Sequence, residues 1–355
     1  MMRVSNSFFC SVYDSICKEI SKQLSELGNT KTLLLKNDIG RLQNSDMFSA
    51  CIPEMNTHCL ALLQVNVFLA STKVVKSRHI NPAFWGEDFR PKFKQIGELT
   101  ALFPNAAHLA VTATATTSSI QILSKTLQYI NPTIIQVNPD RPNFFLEIKT
   151  RLSKCEKFNK YDDIVVPLAQ ELKTKRDKFP LTIVYVESLE DLGYFYQFIN
   201  YELKEEQYIS DTVPENRIVG QFHKDYTTQM KQHVLFELRK EEPKLRLVLA
   251  TVALGMGLDA PGITRIIHCR PPTTLEKYFQ EVGRAGRKGQ KAEALMYFNN
   301  SDLAKNCKGL SDAMVQYCRA KDKCLRLQLL QYFCFNETQF NGPVYECCSY
   351  CRQLK

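Results

Sequence analysis

No stretch of this sequence is apolar for long enough to cross a bilayer. The most apolar run, Cys59 to Ala70, is broken by Gln64 and Asn66 and is well short of the roughly 20 residues a span needs. The opening residues, Met1 to Asp14, lack the apolar core that follows a basic start in a secretion signal. Neither export nor a membrane partner is therefore expected, and the chain is read as residing in a reducing compartment, nucleus or cytoplasm. Its 13 cysteines then serve as thiols or metal ligands rather than disulfides. Internal repeats and low-complexity tracts are also lacking, which argues against a repeat array or a disordered tail. Tryptophan is nearly lacking, with Trp85 alone.

What is present suits a soluble globular protein: 44% hydrophobic and 23% charged residues are ordinary values. A length of 355 residues allows two or three domains. The net charge of +9 favours an acidic partner such as nucleic acid, and equally suits a generic basic protein.

The first 70 residues carry little signal beyond an amphipathic helix predicted over Cys10–Leu27, ended by Gly28-Asn29. A polar-aromatic loop, Trp85 to Pro91, precedes a predicted helix over Lys92–Leu102. His108 to Thr116 then reads as a buried strand entering a hydroxyl-rich turn. Asn138 to Asn143 is a proline-flanked linker. Beyond it, apolar runs rich in β-branched residues (Leu181–Val186, Leu245–Ala250, Ile263–His268, Ala292–Phe298) alternate with helical patterns, including Ile164–Lys178 and Leu189–Leu203. That rhythm predicts a parallel sheet covered by helices. Asp312 to Phe333 reads as one or two helices, followed by a cysteine cluster.

Three features carry chemistry. Val248 to Ile263 reads as a strand opening into a loop with Gly255 and Gly257. Glycines there let backbone N–H groups approach a phosphate, and Asp259 can accept from a ribose or brace the loop. A glycine pair alone equally fits an ordinary strand-turn-helix junction. Tyr278 to Gln290 (YFQEVGRAGRKGQ), if helical, sets Gln280, Arg284 and Arg287 on one face. Arginine forks match phosphate oxygens, and an arginine so supplied accelerates phosphoryl transfer by roughly 10³–10⁵-fold; the other reading is a solvated basic helix. The third feature is Cys324, Cys347, Cys348 and Cys351, in which Cys348 and Cys351 have the two-residue spacing of a zinc knuckle. A cysteine-rich tail without metal is the alternative, and Cys334 competes with Cys347 as fourth ligand.

Together these segments resemble motifs V and VI of superfamily-two helicases, specifically the RecQ branch. Thr112 to Thr116 is similar to motif III, Trp85 to Pro91 with Phe93 to the aromatic-rich loop, and Pro139 to Asn143 to the linker between lobes. Tyr185 lies in the strand of motif IV, and Gln221 to His223 resembles motif IVa. The match covers about Val74 to Cys351. It implies an α/β fold, with a RecA-like parallel sheet flanked by helices and a small helical zinc-binding subdomain. It also implies ATP-dependent 3′-to-5′ unwinding of single-stranded and partly duplex DNA, with ATP, Mg²⁺ and structural Zn²⁺ as cofactors, and favours the nucleus.

The resemblance assigns Arg284 and Arg287 to the γ-phosphate and Gln280 to orienting nucleotide or water. Gly257 and Asp259 would line the coupling loop. Trp85, Phe89 and Arg90 would sense the single strand, where stacking on a base contributes roughly 1–3 kcal/mol; the first two could instead fill a core. Cys324 would be the first zinc ligand, on a helix. The implied domains are an unassigned segment 1–70, part of a first RecA-like lobe over 71–140, a second lobe over 141–305 and a zinc subdomain over 306–355. The oligomeric state stays open.

Two family motifs are missing from the sequence. No G-x-G-K-[ST] string occurs, so no glycine loop and lysine cradle the phosphates. Where a DEAH box should precede Trp85, Val74 to His79 reads VVKSRH, without the acidic pair that holds Mg²⁺. The chain alone is therefore expected not to hydrolyse ATP. A shortened gene product and a pseudo-enzyme explain this equally, and a non-catalytic nucleic-acid-binding module is the alternative function.

Overall fold

The computed structural model describes residues 60–64, 66–69, 107–112, 114–152, 161–251, 260–304 and 306–354. The chain forms two compact units, Met1–Pro139 and Asp140–Lys355.

In the first unit, strand β1 (Leu60–Gln64) pairs antiparallel with β2 (Asn66–Leu69) and parallel with β3 (Ala107–Val111). As read from the sequence, a strand within His108–Thr116 gives way to a hydroxyl-rich segment, and Thr116 caps helix α1 (Thr117–Thr126). Its hydroxyl accepts the Ser119 N–H at 3.2 Å, satisfying one of the donors that the first turn leaves open. Among the described residues, no helix is long and apolar enough to cross a membrane.

The second unit holds a six-stranded, wholly parallel sheet in the order β4-β9-β8-β5-β7-β6. The strands are β4 (Phe144–Thr150), β5 (Thr182–Tyr185), β6 (Val219–Phe222), β7 (Leu247–Ala250), β8 (Arg265–His268) and β9 (Ala292–Phe298). All four residues of β5 and of β7 are buried, as expected of central parallel strands covered on both faces. Alternation splits the core in two. Ile183, Tyr185, Val248 and Ile266 join one cluster, while Val184, Leu247, Leu249 and Ile267 join the other.

The second cluster is closed by α2 (Asp162–Lys175) and α3 (Leu189–Leu203). Helix α2 presents Ile164, Val165, Leu168 and Leu172, spaced as one helical face. Helix α3 buries Leu192, Phe195, Ile199 and Leu203 and is capped by Ser188, which accepts the Asp191 N–H at 3.0 Å. Removing that acceptor as Ser188→Ala should cost about 1 kcal/mol, read as a lower urea midpoint at unchanged slope. On the opposite face lie α4 (Thr228–Arg239) and α5 (Leu275–Val282).

The tail folds as α6 (Asp312–Arg319), α7 (Leu325–Tyr332) and the short α8 (Ser349–Gln353). It covers the free side of edge strand β4: Leu146 bridges Cys348 in parallel, and the Ile148 N–H donates to Ser349 Oγ at 3.4 Å. Arg352 lies over the Phe145 ring at 3.8 Å.

Candidate functional site

The helix predicted to carry Gln280, Arg284 and Arg287 on one face ends at Val282. Only the half-buried Gln280 lies on α5; Arg284 and Arg287 stand on the turn that follows. The reason is tertiary. Gly286 has φ +59°, a conformation that L side chains rarely adopt. Its N–H donates to Ile263 O at 2.8 Å, and its carbonyl accepts from Arg141 and from Asn143 Nδ2 at 3.0 Å. Arg141 also reaches Gly283 O at 3.3 Å, and Asn143 reaches Gln290 O at 2.7 Å. A β-carbon at 286 would stand 2.5 Å from Asn143 Nδ2 and 2.9 Å from Ala292 Cβ. These partners replace the bonds a continuing helix would have made.

The turn collects positive charge. Burial, and then the Arg287 guanidinium, lower Arg141 to about 10. Arg284 is 5% exposed and stands against the Tyr185 hydroxyl. Burial pushes that hydroxyl well above its usual range, while Arg284 and Arg287 pull it back. Crowded guanidiniums out of bulk water disfavour their own charge and favour an anion between them.

A buried frame supports this cluster. Glu281, the residue after Gln280, meets His268 Nε2 at 2.9 Å, with both side chains buried. The His268 ring stacks on Tyr185 at 5.0 Å and tilts against Tyr278 at 5.3 Å, which in turn meets Tyr317 at 5.7 Å. The sequence reading missed His268, Glu281, Arg141 and Asn143 as site residues. Arg141 and Asn143 were legible only as linker punctuation, and a lone acid between an amide and an arginine carries no period of its own.

The four tail cysteines converge. Their sulfurs all lie within 4.8 Å of one another, with Cys324 Sγ 3.6 Å from Cys347 Sγ and 3.8 Å from Cys348 Sγ. Tetrahedral zinc with bonds near 2.3 Å sets its sulfurs about 3.8 Å apart, so the donor set fits that ion. Contacts among the Cys324, Cys347 and Cys348 sulfurs hold Cys348 well below the usual thiol range and push Cys347 up. Cys347 joins the cluster through the turn Val344–Glu346. Cys334 is exposed, with φ +67°, and is not among the four. Cys324, predicted to lie on a helix, is instead the residue that precedes α7 as its N-cap. Cys318 is buried.

Trp85, Phe89, Arg90, Gly257 and Asp259 lie outside the described residues, as do the helices predicted over Cys10–Leu27 and Lys92–Leu102.

Residues 156–289 match the helicase conserved C-terminal domain. The chain is similar to ATP-dependent DNA helicase Q1 of Mus musculus, at 30% identity over 276 residues, covering 74% of this chain and 39% of that protein. It is 31% identical over 267 residues to a putative ATP-dependent RNA helicase of Acanthamoeba polyphaga mimivirus, covering 70% of this chain and 43% of that protein. It is 26% identical over 265 residues to ATP-dependent DNA helicase RecQ of Pasteurella multocida, covering 70% and 37%. The chain spans about two fifths of the length of these relatives.

Proposed function

Because this chain is RecQ-like and carries a helicase conserved C-terminal domain, we propose that it acts as the second motor lobe of an ATP-dependent 3′-to-5′ DNA helicase. The observation that carries the reading is the gathering of Arg141, Arg284 and Arg287 at one braced turn. A triphosphate is the anion such forks suit, since paired arginine N–H groups match its oxygens and stabilise charge that develops during transfer. In this reading Arg284 and Arg287 face the γ-phosphate and Gln280 orients nucleotide or water. Gly257 and Asp259 line the coupling loop. Trp85 and Phe89 stack on bases of single-stranded or partly duplex DNA while Arg90 meets a phosphate. Cys324, Cys347, Cys348 and Cys351 hold structural zinc in a subdomain over 306–355.

The sequence contains no G-x-G-K-[ST] string and no acidic pair ahead of Trp85. Without a lysine and glycine cradle or carboxylates for Mg²⁺, the arginines have a charge to stabilise but nothing that holds it in place. The chain on its own is therefore expected to hydrolyse ATP no faster with single-stranded DNA than without it. A steady-state assay checks this: DNA-stimulated turnover that disappears in Arg287→Ala overturns it.

The missing cradle and the net charge of +9 also favour a second reading, a nucleic-acid-binding module without catalysis. DNA affinity measured against salt separates the two. A module binds with the salt slope of its phosphate contacts whether or not ATP is present; a motor lobe that still senses nucleotide changes affinity when ATP is added.

A further inference from the structure

Between the sulfur cluster and the arginine turn lies a short path of hydrogen bonds. Arg326 is buried at 2% exposure, two residues past Cys324. Its guanidinium donates to Asp140 Oδ1 at 2.6 Å, to Arg141 O at 2.8 Å and to Phe144 O. It lies over the Phe340 ring at 4.9 Å, and the Cys347 sulfur is near enough to favour its charge. The other oxygen of Asp140 accepts from Thr338 Oγ1 and the Gln339 N–H, each at 2.7 Å. The next residue, Arg141, holds the Gly283 and Gly286 carbonyls of the turn.

A buried guanidinium whose two terminal nitrogens serve three oxygens has few low-cost alternative arrangements, because each acceptor it gives up is left unmatched away from water. Cys324 is the residue just before α7, and Arg326 sits in that helix's first turn. Whatever fixes the sulfurs therefore fixes Arg326, then the Asp140–Arg141 backbone, then the turn. We infer that Arg326 and Arg141 are positioning residues that tie the order of the arginine turn to metal loading of the cysteine tail. The inference rests on reading the four sulfurs as a zinc site and the turn as the phosphate-facing element.

Hydrogen exchange on the whole chain, with and without one equivalent of zinc, tests it. The amides to follow are Gly286, bonded to Ile263 O, and Ala292, bonded to Asn143 O, with strand β5 as internal reference. Zinc removal should speed exchange in the turn about tenfold or more relative to β5, the size of an ordinary coupling between sites. Arg326→Lys keeps a cation beside Asp140 but cannot serve all of its partners, and should loosen the turn with zinc still bound. In Arg141→Lys the turn should exchange fast at the outset and no longer respond to zinc, while zinc uptake stays at one equivalent. Those results support the path. A turn that ignores zinc in the unsubstituted chain overturns it, as does a rise spread equally over β5 and the turn. A chain that takes up no zinc overturns the metal reading, and the coupling with it. Failure of the coupling alone is distinct: zinc binds at one equivalent and the turn does not respond.

Discussion

Chelating the metal from Cys324, Cys347, Cys348 and Cys351 should collapse the thermal stability of the tail. Structural zinc of this kind contributes roughly 10–16 kcal/mol to folding at neutral pH, the same size as the whole stability of an ordinary domain. The cause lies in where the sulfurs sit. Cys347, Cys348 and Cys351 belong to the main hydrophobic cluster, beside Leu146 of β4 and Leu325 and Leu329 of α7. Stripped of a cation, they leave thiols and thiolates crowded together in apolar surroundings, which favours opening the cluster. Melting with and without a strong zinc chelator checks this, and recovery on adding zinc back shows that the effect is the metal's. An unchanged melt would count against a zinc site.

Replacing Arg326 with leucine should cost about 3–5 kcal/mol, the usual penalty for leaving one member of a buried ion pair without its partner. Both Asp140 and Arg326 have side chains 3% exposed, so the stranded carboxylate has little water to turn to. Two backbone carbonyls, Arg141 O and Phe144 O, lose a donor at the same time. Denaturant unfolding at constant slope reads the loss as a shift in midpoint. The double substitution Asp140→Asn with Arg326→Leu should recover part of it, because the stranded charge is then gone. If the single and double variants lose the same amount, the ion pair is not what holds the linker to the tail.

Elements with strong local patterning were legible in the sequence. The helix read over Leu189–Leu203 and the strand read over Ala292–Phe298 have the observed bounds, since each has a continuous apolar period and clear punctuation. Strand β6, Val219–Phe222, was noted only as part of a motif, because Gly220 and Gln221 break any strand pattern in four residues. Helix α4 was missed because it buries only Val234, Glu237 and Leu238 among twelve mostly polar residues. The arginine turn was misread as helix for a different reason. The groups that stop it, Arg141 and Asn143, lie more than 140 positions away, and no local window contains them. In the tail, cysteine spacing alone left Cys334 in contention; the turn at Val344–Glu346 gathers Cys347 instead.

Strand β4 precedes in the chain both described segments that flank it, β9 and the tail. Its sheet partner β9 begins about 150 residues later, and the tail segment that seals its other side follows at Cys348. At typical elongation rates the ribosome needs roughly 7–30 s to deliver β9. Throughout that interval Phe144, Phe145 and Leu146 are an apolar strand with an open hydrogen-bonding edge, the kind of surface that chaperones shield and that neighbouring nascent chains can join.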